Sequence, residues 1–281
     1  MTRRDLVAAG LSAATLGPFA RMAMGQADRV GTANSYAKGG ITPADEYKPL
    51  PPDAPTIAMV IYPGFTELDV MGPYQFLWAL MDRRLRIVAK QKGVVYADTG
   101  LGIEADTSFA ECPKDLDVLF VGGGTEGTLL AMKDPETRAF FADRGARAKH
   151  IVSVCTGSLI LGAAGLLKGK RATGHWAARD LLSEFGAIPV DERVVEDGRI
   201  LTGAGVSAGL DTGLTLLGKL GGEAYAKQCQ LFFEYDPHPP FDSGSPAKAS
   251  PEDIAMSMRM IEPFRSAVRG FAKEIKTEIK R

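Results

Sequence analysis

The sequence predicts an α/β sandwich: a mainly parallel sheet with helices on both faces. Three observations predict it. "TIAMVIY" (56–62), "DLDVLFV" (115–121) and "HIVSVC" (150–155) are apolar runs, suited to strands buried on both faces. Helical stretches alternate with these runs. The chain of 281 residues is 45% hydrophobic, enough to build a core.

The elements follow in order. A helix is expected to begin near Met71 and Gly72, with Pro73 in its first turn, and to continue through "YQFLWALM". "DPETRAFFADRGARAK" is a second helix, with Asp134 as N-cap and Pro135 at the first helical position. "ARDLLSEFG" is a third, stopped by Gly186. "RVVEDGRIL" reads as a hairpin centred on Asp197 and Gly198. "DTGLTLLGKLGG" and "EAYAKQCQLFFEY" give two more helices and complete one domain over residues 55–236. Residues 237–281 form a separate C-terminal segment. It opens with "DPHPPFDSGSP", extended because its prolines suit neither helix nor ladder, and closes with a helix from 251.

The first 27 residues differ from the rest. Arg3 and Arg4 precede a weakly apolar run from Leu6 to Ala20, which is followed by small residues. The run is too short to cross ~30 Å of hydrocarbon comfortably. It reads as a cleaved signal of the twin-arginine type rather than a stable membrane anchor, so export to the periplasm is expected. Residues 28–54, rich in glycine, proline and polar residues, read as a linker.

Charge and cysteine usage bound the chemistry. The 33 basic and 34 acidic residues exert no general pull toward nucleic acid or anionic membrane. Three cysteines are too few for a disulfide scaffold, and no Cys or His pair has zinc spacing, so no metal is expected. Cys112 and Cys229 read as buried apolar residues.

In open α/β sheets, ligands collect at the carboxyl ends of the strands. Cys155 sits at such an end, where "IVSV" gives way to the helical "TGSLILGAAG". Ser153 and Gly157, two residues to either side, are small enough for the sharp turn of a nucleophile elbow. A helix N-terminus there favours the thiolate. "VGGGTEG" (121–127) offers exposed amides for an anion cradle, or simply a tight turn; it lacks the lysine of a P-loop. "YPGFTELDVMGP" (62–73) places Glu67 and Asp69 close together, as an acid–base pair or as solvated carboxylates. Spacing alone does not choose. His175 reads as a capping or packing residue in preference to a base.

Together, "IYPGFTELDVMGPYQFL", "LDVLFVGGGTEG", "VSVCTGSLILGAAGLLKGKRATGHW", "GAGVSAGLD" and "LFFEYDPHPPFDSGSP" resemble the DJ-1/PfpI superfamily, in particular its isonitrile hydratase branch. The resemblance covers about residues 55–250. It implies a flavodoxin-like, class I glutamine amidotransferase-like sandwich. It also implies a homodimer that uses no cofactor and hydrates small isocyanides to N-substituted formamides. Carried over by position, Cys155 matches the nucleophile, Asp69 its acidic partner, and Thr156 the assisting threonine. Gly123 and Gly124 match paired glycines whose amides bind at the site. Gly122 stands where the family usually has proline, and Gly174 where it has threonine. Thr156 occupies the place of the histidine found in peptidase-like relatives, which argues against proteolysis. A non-catalytic ligand-binding module, like the sensor half of some transcription regulators, is the alternative.

Overall fold

The computed structural model describes residues 50–278, so the expected signal sequence and most of the expected linker lie outside the described residues. Two compact units are present. In the first, residues 50–54 and 81–84 come together, and the Arg84 guanidinium donates to the carbonyls of Leu50, Pro51 and Pro52.

The second unit is the sandwich. Its strands are β1 (Thr56–Val60), β2 (Arg84–Ala89), β5 (Thr107–Ser108), β6 (Val118–Val121), β7 (His150–Val154), β10 (Val194–Asp197) and β11 (Ile200–Gly203). They form one sheet in the order β10-β11-β7-β6-β1-β2-β5. Pairing is parallel between β1 and β6, β6 and β7, β7 and β11, and β2 and β5; β10 and β11 are antiparallel. β1 and β6 are buried at every residue, as uninterrupted apolar runs require. The Asp197–Gly198 hairpin is present, and Gly198 takes the left-handed conformation the turn needs. β2, β5 and a two-stranded ribbon, β3 (Gly93–Tyr96) with β4 (Gly102–Ala105), were not legible. β5 has two residues, β2 carries Arg84 and Arg86 among its apolar residues, and the ribbon buries only one of its eight residues.

The helices are α1 (Glu67–Leu77), α2 (Glu126–Lys133), α3 (Pro135–Arg147), α4 (Gly157–Ala163), α5 (Ala208–Gly221), α6 (Glu223–Phe232) and α7 (Pro251–Glu278). α3 begins as the sequence requires: the Asp134 carboxylate accepts from the Thr137 amide at 3.1 Å. Residues 179–185 end at Gly186 in the left-handed conformation, but they form a 3₁₀ helix rather than an α-helix.

One boundary needs correction. α1 starts at Glu67, not near Met71, and Pro73 lies inside it. The Thr66 amide donates to the Gly123 carbonyl at 2.8 Å, which holds Thr66 extended and lets the helix begin at the next residue. Pro73 is tolerated because its ring packs against glycines of α5. A Cβ on Gly213 would lie 2.6 Å from the Pro73 Cα, so the two helices meet at backbone distance. α7 belongs to the sandwich unit and packs on the 3₁₀ helix.

Candidate active site

Four loops converge at the carboxyl ends of β1, β6, β7 and β11, which are adjacent in the sheet. They carry Asp69, Gly123, Cys155 and Ala204 respectively.

Cys155 occupies a sharp strand-to-helix turn with φ of 60°. That region is rare for a residue with a Cβ, and it is sustained only where surrounding bonds over-determine it. Here the Cys155 amide donates to both Gly203 O (3.1 Å) and Ala204 O (2.7 Å). The next residue, Thr156, is already in the α region and starts α4. The small flanking residues have distinct tasks. A Cβ on Gly157 would lie 2.6 Å from Gly122 O and 2.7 Å from Val121 O, so only glycine lets α4 begin this close to the β6 loop. Ser153 hydrogen bonds with Ser158 at 2.9 Å, and Ser158 donates to Thr173 O at 2.6 Å, which ties the underside of the turn.

Asp69 is fully buried in the first turn of α1. Its Oδ2 accepts from the Gly123 amide at 2.7 Å, and its Oδ1 is buried without a hydrogen-bond partner. Burial raises the carboxyl from 3.8 to about 7; the Gly123 amide and the Cys155 thiol pull the other way, and Asp98 and Glu67 add to the rise. Burial and the nearby Asp69 push the Cys155 thiol up, opposed by the Thr156 amide. Thiol and carboxyl therefore act on each other directly. Burial disfavours the charged form of both groups.

Gly123 and Gly124 fall at the site as the sequence suggested, but with another task. The Gly123 amide is engaged by Asp69, and the Gly124 amide donates to Thr156 Oγ1 at 3.0 Å. In this geometry they fix two site side chains rather than stand open as an anion cradle. Gly123 must be glycine, since a Cβ would lie 2.5 Å from both Thr156 N and Thr156 Oγ1. Gly122 is equally tight: its Cβ would lie 2.9 Å from the Asp69 Cβ. A Cβ on Gly174 would lie 2.9 Å from Cys155 O. Both departures from the family pattern thus lie directly against the site.

Two site residues escaped the sequence reading. Tyr62 donates to Gly122 O at 2.9 Å and contacts Thr128 Oγ1, which in turn lies 3.0 Å from Thr156 Oγ1. This buried hydroxyl chain braces the Gly122–Gly124 loop. Tyr62 directly follows the β1 run, which was the available signal; Thr128 carried none. Glu67, also considered, heads α1 and acts on Asp69 only through its charge. His175 Nδ1 accepts from the Ala177 amide at 3.3 Å, the local capping role expected of it, and burial lowers its pKa. Cys112 and Cys229 are buried and not disulfide-bonded. Among the described residues, no group of three or more His, Cys, Asp or Glu residues could hold a metal.

A match to the DJ-1/PfpI family spans residues 55–219 and contains Tyr62, Asp69, Gly123, Gly124, Cys155 and Thr156. The chain belongs to the DJ-1/PfpI family. The isonitrile hydratase of Pseudomonas putida is 49% identical over 193 residues, 69% of this chain and 84% of that one. A crystal structure of a ThiJ/PfpI family protein from Pseudomonas syringae is 49% identical and superposes with a TM-score of 0.76 over 83% of this chain and 96% of that one. A transcriptional regulator of the helix-turn-helix type from Pseudomonas aeruginosa is 31% identical over 147 residues, which is 52% of this chain and 43% of the regulator. The fold is therefore the flavodoxin-like sandwich of this family.

Proposed function

We propose that this protein is a cofactor-independent hydratase acting on a small isocyanide, with Cys155 as nucleophile and Asp69 as acid and base. The observation that carries the proposal is the buried Cys155–Asp69 pair, in a chain 49% identical to an isonitrile hydratase over 193 residues.

The chemistry needs one group that takes and returns protons near neutrality, and Asp69 at about 7 suits it. Asp69 accepts the thiol proton as Cys155 Sγ bonds to the terminal isocyanide carbon. The carboxyl then protonates that carbon, leaving a thioimidate. Water adds to the same carbon with Asp69 as base, and the nitrogen gains a proton. The tetrahedral adduct collapses: the C–S bond breaks, the hydroxyl proton leaves through Asp69, and the thiol is restored. The sum is isocyanide plus water giving the N-substituted formamide. Thr156 helps hold the thiolate through its amide, and Gly123 holds Asp69.

Incubation with cyclohexyl isocyanide, followed by mass spectrometry of the formamide, tests this. Wild-type turnover that vanishes in Cys155→Ala and Asp69→Asn is expected. Turnover retained by Cys155→Ala overturns the nucleophile. Ligand binding without turnover by any form would favour the sensor-like module, a reading supported by the low exposure of Cys155 and by the partial match to a regulator.

We further propose a homodimer. Val94 and Tyr96 project on one face of the β3–β4 ribbon beside Gly102, and Val94 shares an apolar cleft with Leu130; all three large side chains are exposed. Tyr96→Glu should shift the mass measured by light scattering to that of one chain. Export by the twin-arginine route is likewise proposed, on the Arg3–Arg4 pair and the apolar run behind it.

A further inference from the structure

Cys155 is nearly closed off from solvent, and the void beside it leaves no room for even a water-sized molecule. Ordinary ligand pockets offer roughly 300–1,000 Å³. An organic molecule reaches the thiol only if part of the surround yields. On one side the surround is Asp69 and the Gly122–Gly124 loop, fixed by paired strands and buried hydrogen bonds. On the other side it is a wall contributed by Gly174, His175, Ala178, Arg179 and Leu182. The wall runs into the 3₁₀ helix, with turn-type bonds from Ala178 N to His175 O and from Leu181 N to Ala178 O. Such bonds are poorer than those of an α-helix.

This wall is held from outside. Arg265 of α7 is buried and presents its guanidinium as a fork to Asp180, with Nη1–Oδ1 and Nη2–Oδ2 both 2.7 Å. The same Nη1 donates to Ala177 O. These two anchor points bracket Ala178 and Arg179, both of which line the void. Glu262, one turn earlier on α7, pairs with Arg265 Nε at 3.3 Å and steadies the fork. A second tie, Lys276 to Glu184 at 2.8 Å, holds the far end of the 3₁₀ helix. α7 lies beyond the residues matched by the family.

We propose that α7 is a latch on the wall over Cys155, and that Arg265 is the positioning residue that sets how large a molecule reaches the thiol. The inference rests on Cys155 as the reacting group of the proposed function.

The test alkylates the full chain with iodoacetamide and with the bulkier N-benzylmaleimide, and reads the rate at Cys155 by peptide mass mapping. Rates are normalised to glutathione. The ratio of bulky to small reagent should rise roughly tenfold in Arg265→Ala, the factor that one charge-assisted hydrogen bond readily carries. Arg265→Lys, which keeps the charge but not the fork, should fall between wild type and Arg265→Ala. Asp180→Asn and Arg265→Lys serve if Arg265→Ala does not fold. Phe271→Leu trims the contact of α7 with Arg138 while keeping the Arg265 fork in place, and should leave the ratio unchanged. An unchanged ratio in the Arg265 and Asp180 variants, or an equal change in Phe271→Leu, overturns the latch and leaves Cys155 as a reactive thiol. Absence of labelling by either reagent in every variant overturns both the latch and the reactive thiol.

Discussion

On the Asp69 side of Cys155, the contacts are made by main-chain amides and buried hydroxyls close to the sheet's carboxyl ends. On the 175–182 side, the contacts depend on a long arginine reaching in from the C-terminal helix. The first arrangement tolerates no displacement: glycines at 123 and 157 bring backbones within contact distance, and a single Cβ would collide. The second is a short, turn-bonded segment clamped at two points. The difference separates two requirements of a buried reactive centre. Acid–base work needs fixed distances, and admission of a substrate needs something that moves.

Substitutions on the fixed side should have the larger effects. Cys155→Ala should lower formamide production on the order of 10³-fold or more, while circular dichroism and the unfolding midpoint stay near wild type. A large loss of fold would instead mean that the thiol is a packing element.

Asp69 comes next. Its carboxyl is raised about three units on folding, each unit worth 1.36 kcal/mol, so ionising it in place costs up to about 4 kcal/mol. The sign follows from proton uptake. Between about pH 4 and 7 the folded state holds this proton more tightly than the unfolded chain, so its contribution to stability declines as pH rises through that window. Asp69→Asn should therefore be stabilised relative to wild type at pH 8 and far less at pH 4, by urea unfolding at both values. A pH-independent offset would contradict the buried, raised carboxyl. Wild-type kcat/KM should climb with pH to a plateau above about 7, as Asp69 ionises to act as base.

Gly123→Ala places a methyl 2.5 Å from the Thr156 amide nitrogen and should cost about 1–3 kcal/mol by denaturant unfolding, together with activity. The smallest effect is expected far from both sides. Asp134→Ala removes the cap of α3 and should cost about 1 kcal/mol with turnover unchanged. A loss of turnover there would mean that the sheet transmits remote strain to the site.

The turn at Cys155 was legible because its signal is local, whereas Asp69 was told from Glu67 only through the family resemblance. A buried run that ends in small residues marks a tight turn at a strand end, and Gly157 shows why the small residue is required. The start of α1 was misread because proline usually marks a helix's first turn. Here a long-range bond from Thr66 to the Gly123 carbonyl starts the helix earlier, and contact with Gly213 accommodates Pro73 inside it. The ribbon was missed because half-exposed, short strands leave little periodic signal, and β2 because Arg84 and Arg86 interrupt its apolar run.

The sequence by itself determined the layered fold and pointed to the loops that follow its buried strands; the strand order that brings those loops together came from the structure. Apolar periodicity and turn residues act over a few positions, and those rules need no partner distant in the chain. Only the tertiary structure decided what the site residues do. Burial raises Asp69, bonds to Asp69 and Thr156 occupy the amides of Gly123 and Gly124, and Arg265 reaches the wall 85 residues away at Asp180. Desolvation and hydrogen-bond partnership depend on everything packed around a group, so they are set when the chain closes on itself.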